Sequence, residues 1–311
     1  MKYLVTGAAG FIGSHLTEAL LERGDEVVGL DDLSTGHRSN LAGFEGDLEL
    51  IIGDIRDLET CKRAVAGCDY VLHQAALGSV PRSVADPITS HEVNTTGTLN
   101  MLVAARDAEV SGFVFAASSS YFGDTEVLPK TDDMPPRPLS PYAVTKVTCE
   151  QYVKVFASLY GLPSMGTRYF NIFGPRQDPN GPYAAVIPKF IEILMRGDRP
   201  TINGDGEQTR DFTYVENVVG ANLAACANAE AAAGHIMNIA CGERMSLNTL
   251  HKLIADALGV DLEPIHGPPR AGDVRDSLAD TSLAAKLIGY APKVTSREGL
   301  QRTVDWFKSK A

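Results

Sequence analysis

The stretch Val5-Thr6-Gly7-Ala8-Ala9-Gly10-Phe11-Ile12-Gly13 decides the fold. Its glycines fall at G-x-x-G-x-x-G spacing, directly behind a short β-branched run (Tyr3 to Val5) and at the head of an amphipathic stretch (Phe11 to Glu22). A tight turn needs a residue that tolerates positive φ, an anion needs backbone it can approach without a Cβ in the way, and close helix-on-strand packing needs the third glycine. The N–H groups of the helix's first turn then point at the anion. The spacing therefore predicts a strand-turn-helix that cradles a pyrophosphate on Gly7, Gly10, Phe11, Ile12 and Gly13.

Outward from this turn the same rhythm repeats. Glu26 to Leu30, Leu50 to Ile52, Tyr70 to Leu72 and Phe113 to Ala117 read as strands, while Leu58 to Val65 and His91 to Ala108 read as helices between them. The strands are continuously apolar, as strands buried on both faces are. Alternation of this kind predicts the α/β class, a Rossmann-type doubly wound parallel sheet. A helix is expected from Pro141 to about Tyr160 and a strand from Ser164 to Tyr169. Beyond residue 170 turn residues become dense, in Asn171 to Pro182, Gly204 to Gly206 and His266 to Gly272, which predicts a smaller C-terminal lobe of loops and short elements over the carboxyl edge of the sheet. The expected division is 1–170 for the sheet domain, with the chain returning to it within about 211–240, and 171–311 for the second lobe. The Ala-rich run from Ala224 to Ala233 reads as a helix end.

With 311 residues, 44% hydrophobic and 22% charged, the chain matches a globular protein with a real core and excludes disordered or collagen-like readings. Twenty-eight basic against 39 acidic residues leave a net charge of −11, which repels phosphate backbones, so no nucleic-acid partner is expected. The five cysteines show neither C-x-x-C pairing nor zinc spacing; they read as reduced thiols of a cytoplasmic protein, with no metal. No apolar run reaches the ~18 residues of a membrane span and no signal-peptide pattern opens the sequence, so neither export nor a membrane partner is expected.

Two sets of residues add chemistry. The second strand ends at Leu30-Asp31-Asp32, about 20 residues past the glycines, where a carboxylate accepts both hydroxyls of an adenosine ribose and repels a 2′-phosphate. That predicts NAD rather than NADP. Asp54, after the third strand, is a weaker candidate for the adenine edge. Further on, Tyr142-Ala143-Val144-Thr145-Lys146 places a phenol and an ammonium four apart, on one face of a helix. A free phenol titrates near 10 and is a poor base at neutral pH, so base catalysis needs a fixed cation beside it. The spacing alone also suits an amphipathic surface helix. What raises its weight is Ser118-Ser119-Ser120, at the end of the strand Phe113 to Ala117, because open α/β sheets bind ligands at their carboxyl edge. A hydroxyl there can bond a reacting oxygen and relay its proton. Three serines are equally a polar turn.

Taken together the motifs resemble the extended short-chain dehydrogenase/reductase family and, within it, the nucleotide-sugar 4-epimerases, with greatest likeness to the UDP-N-acetylhexosamine (UDP-N-acetylglucosamine) and UDP-glucose 4-epimerases. The resemblance runs from Thr6 to Trp306. It is carried by the glycine turn, Gln74-Ala75-Ala76-Leu77-Gly78-Ser79-Val80-Pro81-Arg82-Ser83, Ser118-Ser119-Ser120, Ser140-Pro141-Tyr142-Ala143-Val144-Thr145-Lys146, Arg168-Tyr169-Phe170-Asn171, Gly174-Pro175-Arg176-Gln177-Asp178-Pro179-Asn180-Gly181, Asn203-Gly204-Asp205-Gly206, Arg210-Asp211-Phe212 and Arg270-Ala271-Gly272-Asp273-Val274-Arg275.

The resemblance implies 4-epimerisation of a UDP-hexose through a transient 4-keto sugar, with tightly bound NAD and a homodimer packed through the helices near His91 to Ala108 and Tyr142 to Tyr160. It makes Tyr142 the base, Lys146 its electrostatic partner and ribose ligand, and Ser118 the reacting hydroxyl's contact, with Ser119 and Ser120 close behind. It implies cofactor contacts from Asp31, Asp32, Ser34, Gly36, Asp54, Ile55, Gln74, Ala75, Ala76, Asn94 and Tyr169. For the UDP-sugar it points to Gly78, Ser79, Val80, Asn171, Val186, Asn203, Arg210, Arg270, Asp273 and Ser277, on the 171–311 lobe in the main. Arg210 and Arg270 suit a pyrophosphate clamp, since guanidinium forks match phosphate oxygens; singly, each also fits plain surface charge. Two departures stand out. Phe122 replaces the family's usual tyrosine before glycine, with Tyr121 just ahead. Ser277 aligns with a bulky tyrosine of glucose-restricted epimerases, which leaves room for a 2-acetamido group. A 4,6-dehydratase is disfavoured because Ser119 and Ser120 stand where its acid pair would be. UDP-glucuronate epimerisation or decarboxylation is the chemical alternative; a catalytically idle NAD or nucleotide-sugar sensor is the non-enzymatic one.

Overall fold

The structure is a computed structural model that describes residues 1–44, 46–180, 184–268 and 275–310. The first half runs β1 (Lys2–Thr6), α1 (Phe11–Glu22), β2 (Glu26–Asp31), β3 (Leu48–Ile52), α2 (Leu58–Val65), β4 (Tyr70–His73), α3 (Val80–Ala85), α4 (Pro87–His91), α5 (Gly97–Asp107), β5 (Gly112–Ser118), α6 (Pro141–Tyr160) and β6 (Ser164–Tyr169). The second half comprises β7 (Ile172–Phe173), α7 (Val186–Met195), β8 (Thr201–Asn203), β9 (Thr209–Arg210), β10 (Thr213–Tyr214), α8 (Val215–Ala227), α9 (Ala229–Ala232), β11 (Ile236–Ile239), β12 (Met245–Ser246), α10 (Leu247–Leu258), β13 (Ile265–Gly267), α11 (Ser282–Ile288) and α12 (Ser296–Lys310).

Seven strands form one wholly parallel sheet in the order β11-β6-β5-β4-β1-β2-β3. The Rossmann-type doubly wound sheet predicted from the alternation is therefore present, with β11 supplied by residues 236–239. One face is covered by α1, α8 and α11 through Leu16, Leu20, Val218, Ala221, Ala225 and Ile288. The other is covered by α2, α5 and α6 through Cys61, Ala64, Met101, Ala105, Val153 and Phe156. Among the described residues no helix is long and apolar enough to cross a membrane.

The second lobe differs from the expectation of loops and short elements. It holds helices of 10, 12 and 15 residues, α7, α10 and α12, which bury Phe190, Ile191, Leu250, Ile254, Leu300 and Val304 in a core of their own. Turn residues between the helices dominate the local composition, whereas each helix carries only a narrow apolar stripe.

Helix α6 shows how local sequence sets an element. Ser140 accepts from Ala143 N, Pro141 takes the first helical position, and Gly161 closes the helix at φ 68°. Below the first two turns it is pinned to the sheet by a buried ion pair: Arg168 on β6 donates to both carboxylate oxygens of Glu150, at 2.9 and 2.8 Å, with both side chains fully buried. The guanidinium also stacks 3.7 Å from the Tyr121 ring centroid and donates to Asp132 O. Burial raises the pKa of Glu150, and Arg168 opposes the shift. Removing one partner of such a pair leaves a buried charge. Glu150→Ala should therefore lower unfolding free energy in urea by about 3–5 kcal/mol, and Glu150→Leu with Arg168→Met should recover most of it. A double variant as unstable as the single one would contradict this account.

His73, at the end of β4, is buried between Thr6 Oγ1 (2.7 Å from Nδ1) and Thr98 Oγ1 (3.0 Å from Nε2). Burial, helped by the nearby Lys146 charge, pushes its pKa down to about 3. Between pH 6.5 and 3 the unfolded chain takes up a proton here that the native state refuses, so this stability is present above 6.5 and lost as pH falls. At pH 4.5 the loss relative to pH 7 should be about 2–3 kcal/mol from this residue. Denaturation of the wild type and His73→Gln at both pH values isolates it: the variant should lose less stability on acidification, and equal losses would contradict the assignment.

Candidate active site

A cleft of about 990 Å³ runs along the carboxyl ends of the parallel strands, and residues from beyond β6, among them Asn171, Gln177, Lys189, Arg210 and Ser277, complete its walls. At its centre is the start of α1. Gly7 adopts φ +67°; a Cβ there would lie 2.9 Å from Ala75 N, and one on Gly13 would lie 2.0 Å from Gly7 O. Both positions exclude any side chain. Gly10 caps α1 with extended backbone and no side-chain hydrogen bond, and the first turn carries no acidic residue. Its N–H groups are thus presented to an incoming anion, the geometry that phosphate binding requires.

Gly7, Gly10, Phe11, Ile12, Gly13, Asp31, Asp32, Ser34, Gly36, Asp54, Ile55, Gln74, Ala75 and Ala76 all line this cleft, so the structure brings together nearly every residue expected to hold NAD. Asp31 accepts from Ala9 N at 2.9 Å and Leu33 N at 2.8 Å, which ties the end of β2 to the glycine turn. Burial raises its pKa and the two N–H bonds oppose the shift. The more exposed Asp32 accepts from Ser34 N and Oγ. Asp54 is held by the Nε and Nη2 of Arg56 at 2.8 and 2.6 Å, and those bonds keep its carboxyl below the usual range. Asn94 stands behind the wall. It lies in a π-helical turn, Glu92–Thr96, between α4 and α5, and its amide bonds Leu77 N, Leu77 O and Thr145 Oγ1. An extra residue in the helix turns this side chain toward the loop after β4.

At the far end Tyr142, Lys146, Ser118, Ser119, Ser120 and Tyr169 share the same cleft. Lys146 is buried; its Nζ donates to Ala116 O at 2.7 Å, 4.7 Å from the Phe115 ring centroid and 5.9 Å from that of Tyr142. Ser118 Oγ accepts from both Ser120 N (3.2 Å) and Ser120 Oγ (3.0 Å). Tyr169 is locked by Gln74 Oε1 and Asn222 Nδ2, and burial raises its pKa, so it stays a neutral phenol. Phe122 lines the cleft, while the Tyr121 hydroxyl turns away to donate to Met134 O. The tyrosine one position early does not substitute for the family's tyrosine.

Of the residues expected on the sugar side, Gly78, Val80, Asn171, Arg210 and Ser277 line the cleft. Asn171 has left-handed backbone at φ 41°, a conformation that asparagine tolerates better than most residues. Its Nδ2 donates to Asp211 O (3.0 Å) and Ser277 Oγ (3.3 Å), and Asp211 N donates to Ser277 Oγ (3.1 Å). Beneath them the buried Asp211 carboxylate collects Cys241 N, Gly242 N and Ala279 N; burial pushes its pKa up to about 6. Arg210 donates to Thr209 O and Arg275 O. Ser79 instead caps α3 through Arg82 N, Val186 opens α7, and Asn203 ends β8 with its carbonyl accepting from Gln208; none of these three is in the cleft wall. Arg270 and Asp273 lie outside the described residues.

The sequence reading missed Gln177, Lys130 and Lys189, which also line the cleft. Lys130 is buried, bonds Thr125 O through Nζ, and pairs by its backbone with Ala279. Gln177 Oε1 is a buried acceptor in the cleft wall with no partner among the described residues. No residue spacing announces these three, because each reaches the cleft from a turn or a lobe helix. The glycine cradle, the uncapped α1 terminus and this orphaned acceptor all fit a bound dinucleotide. Among the described residues no group of three or more His, Cys, Asp or Glu is placed to hold a metal.

Comparison with known proteins agrees with this geometry. The UDP-glucose 4-epimerase of Mycolicibacterium smegmatis is 41% identical, with all of both chains covered. The structure of a UDP-N-acetylglucosamine 4-epimerase from Methanobrevibacter ruminantium, in complex with UDP-N-acetylmuramic acid, superposes with a TM-score of 0.94 at 39% identity, covering 100% of this chain and 99% of that one. A Thermus thermophilus UDP-glucose 4-epimerase in complex with NAD gives 0.91 at 38% identity, with both chains fully covered. The model of the NAD dependent epimerase/dehydratase family matches residues 3–240, and the chain belongs to that family.

Proposed function

We propose that the chain is a UDP-hexose 4-epimerase that interconverts UDP-GlcNAc and UDP-GalNAc on tightly held NAD. The observation that carries this reading is the convergence of Tyr142, Lys146 and Ser118 on the cleft that the α1 terminus opens into. In this reading 1–170, with the strand 236–239, holds the cofactor, and most of 171–311 holds the UDP-sugar. Asp31 and the glycine turn hold the adenosine half; Tyr169, Gln74 and Asn94 shape the other end.

When bound, NAD supplies a reversible acceptor for the hydrogen at C4. The phenol oxygen of Tyr142 takes the C4 hydroxyl proton and later returns it. Ser118 is the serine suited to the relay: its Oγ already accepts from Ser120 N and Oγ, so its own proton is left to donate toward the reacting oxygen. Lys146 spends one N–H on Ala116 O and keeps two for the cofactor ribose and for the electrostatic field at Tyr142. The hydrogen taken from C4 with its electron pair would be given back to the same carbon, and the proton to the same oxygen, so the reaction carries no net redox change and needs no external reductant. Arg210 anchors the UDP pyrophosphate, while small side chains (Gly78, Ser118 to Ser120, Ser277) leave the sugar room to turn and to carry a 2-acetamido group. Size selection of this kind is worth only about 1–3 kcal/mol, so unsubstituted UDP-hexoses are expected to react more slowly rather than not at all.

We also assign the working form as a cytoplasmic homodimer. Helices α3, α4 and α6 pack together and expose Val84, Ile88, Val144, Val155 and Leu159, with Ile88 71% and Leu159 68% exposed. An apolar patch of this kind marks an interface.

Two outcomes are expected. Purified protein should interconvert UDP-GlcNAc and UDP-GalNAc without added reductant, and Tyr142→Phe should lose at least 10³-fold in kcat while still folding and retaining NAD; wild-type turnover by that variant, or turnover of UDP-glucuronate alone, would overturn the assignment. By light scattering the protein should have twice the mass of one chain, and Ile88→Glu with Leu159→Glu should halve it; a wild-type monomer would contradict the dimer.

A further inference from the structure

Outside the cleft, the two lobes are joined by a compact polar cluster that the chemistry does not use. Its centre is Arg176, in the turn after β7, whose side chain is only 13% exposed. One guanidinium nitrogen donates to His15 Nδ1 and to Glu18 Oε2, both on α1, and the other donates to Asn40 O at 3.3 Å. The bonding fixes the histidine's state. Pro175 O, 2.8 Å from Nε2, can only accept, so Nε2 carries the proton and Nδ1 is left to accept from the guanidinium. Burial and the Arg176 charge together push the pKa of His15 down to about 4, which keeps it neutral in this role.

The segment that Arg176 grips is itself laid over the glycine turn. His37 N and Asn40 Nδ2 both donate to Ala9 O, each at 2.9 Å, and the His37 ring lies 3.5 Å from Asp178. Residues 33–41 and 174–178 are therefore tied to each other and to α1. Both face inward as well: Ser34 and Gly36 from one segment, and Gln177 from the other, are walls of the cleft beside Phe11.

A second observation points the same way. Arg176 has φ 65°, in the region that favours glycine, and its side chain is not glycine's. A strained backbone of this kind persists only where surrounding interactions hold it, and strain collects at clamps. Here the holding interactions are those of the clasp.

We propose that the Arg176 clasp governs how long the dinucleotide stays bound. A reaction that lends a hydrogen and takes it back needs the same cofactor present in both halves, and a clasp holding shut the two segments beside the phosphate turn slows its escape without touching the reacting atoms. Arg176 is thus a positioning residue, acting through residues 33–41 and α1. The inference rests on the cleft being the NAD site.

The test uses purified holoenzyme and NAD itself. Bound NAD is extracted by heat and counted per chain, and its dissociation rate is followed by diluting holoenzyme into a coupled dehydrogenase that consumes released NAD. Arg176→Ala should release NAD at least tenfold faster than wild type, Glu18→Gln should release it faster by a smaller factor, and Arg176→Lys should fall between Arg176→Ala and wild type. Turnover of Arg176→Ala at nanomolar protein should rise on adding NAD, whereas the wild type should not respond. Both Arg176→Ala and Glu18→Gln releasing NAD at the wild-type rate would overturn the clasp; should Arg176→Ala fail to fold, the Glu18→Gln rate decides. Wild-type protein that neither carries nor takes up NAD would overturn the cofactor site instead, a result read without any sugar assay.

Discussion

The placement of α6 against the sheet is the constraint on which the rest depends. Two buried ties, made by α6 residues one turn apart, fix it to the sheet: Lys146 reaches from α6 to the carbonyl of Ala116 on β5, and Arg168 reaches from β6 to Glu150 on α6. Neither tie is a surface pair that water could replace, so the helix has one rotation and one height relative to the strand ends. Tyr142 therefore meets the cleft where β5 ends in Ser118. His73 lies near the Lys146 charge and remains neutral, so it adds no charge of its own beside that ammonium.

The wall formed by Asn171, Asp211 and Ser277 is organised by a different device, a buried carboxylate bonded by backbone. Asp211 gathers N–H groups from residues 241, 242 and 279 beneath the cleft, and its own backbone N–H and carbonyl position Ser277 and Asn171. Segments more than 60 residues apart in the chain are thus brought to one wall. The arrangement leaves the small Asn171 and Ser277 side chains at the surface of the wall and places the Asp211 carboxylate behind it.

Much of this was legible in the amino-acid sequence, and the boundary of legibility is physical. The glycine turn, the end of β2 at Asp31 and the pairing of Tyr142 with Lys146 are local: their meaning depends on neighbours within a strand, a turn or a helix face. Asn94 could be named but its manner of action could not, because the π-helical turn that aims it leaves no mark in apolar periodicity. Ser79 caps α3, and a serine before Val-Pro carries no sign in the sequence that it will serve as a cap. Asp211, Lys130 and Arg176 act through contacts 5 to about 160 residues away, mostly with backbone atoms, and backbone partners carry no sequence signature. The helices of the second lobe were hidden for a related reason, as turn-rich connections outweighed their narrow apolar stripes.

The position of β11 has a consequence for synthesis. The strand pairs with β6 although 66 residues separate Tyr169 from Ile236, and α11 packs on it from later still. While the chain emerges from the ribosome, β6 is left as an uncovered edge until residue 239 is available. A fragment ending near residue 170 would keep that edge permanently and invite strand addition from a second molecule, so the first half of this chain is not a module that can be cut out and used alone.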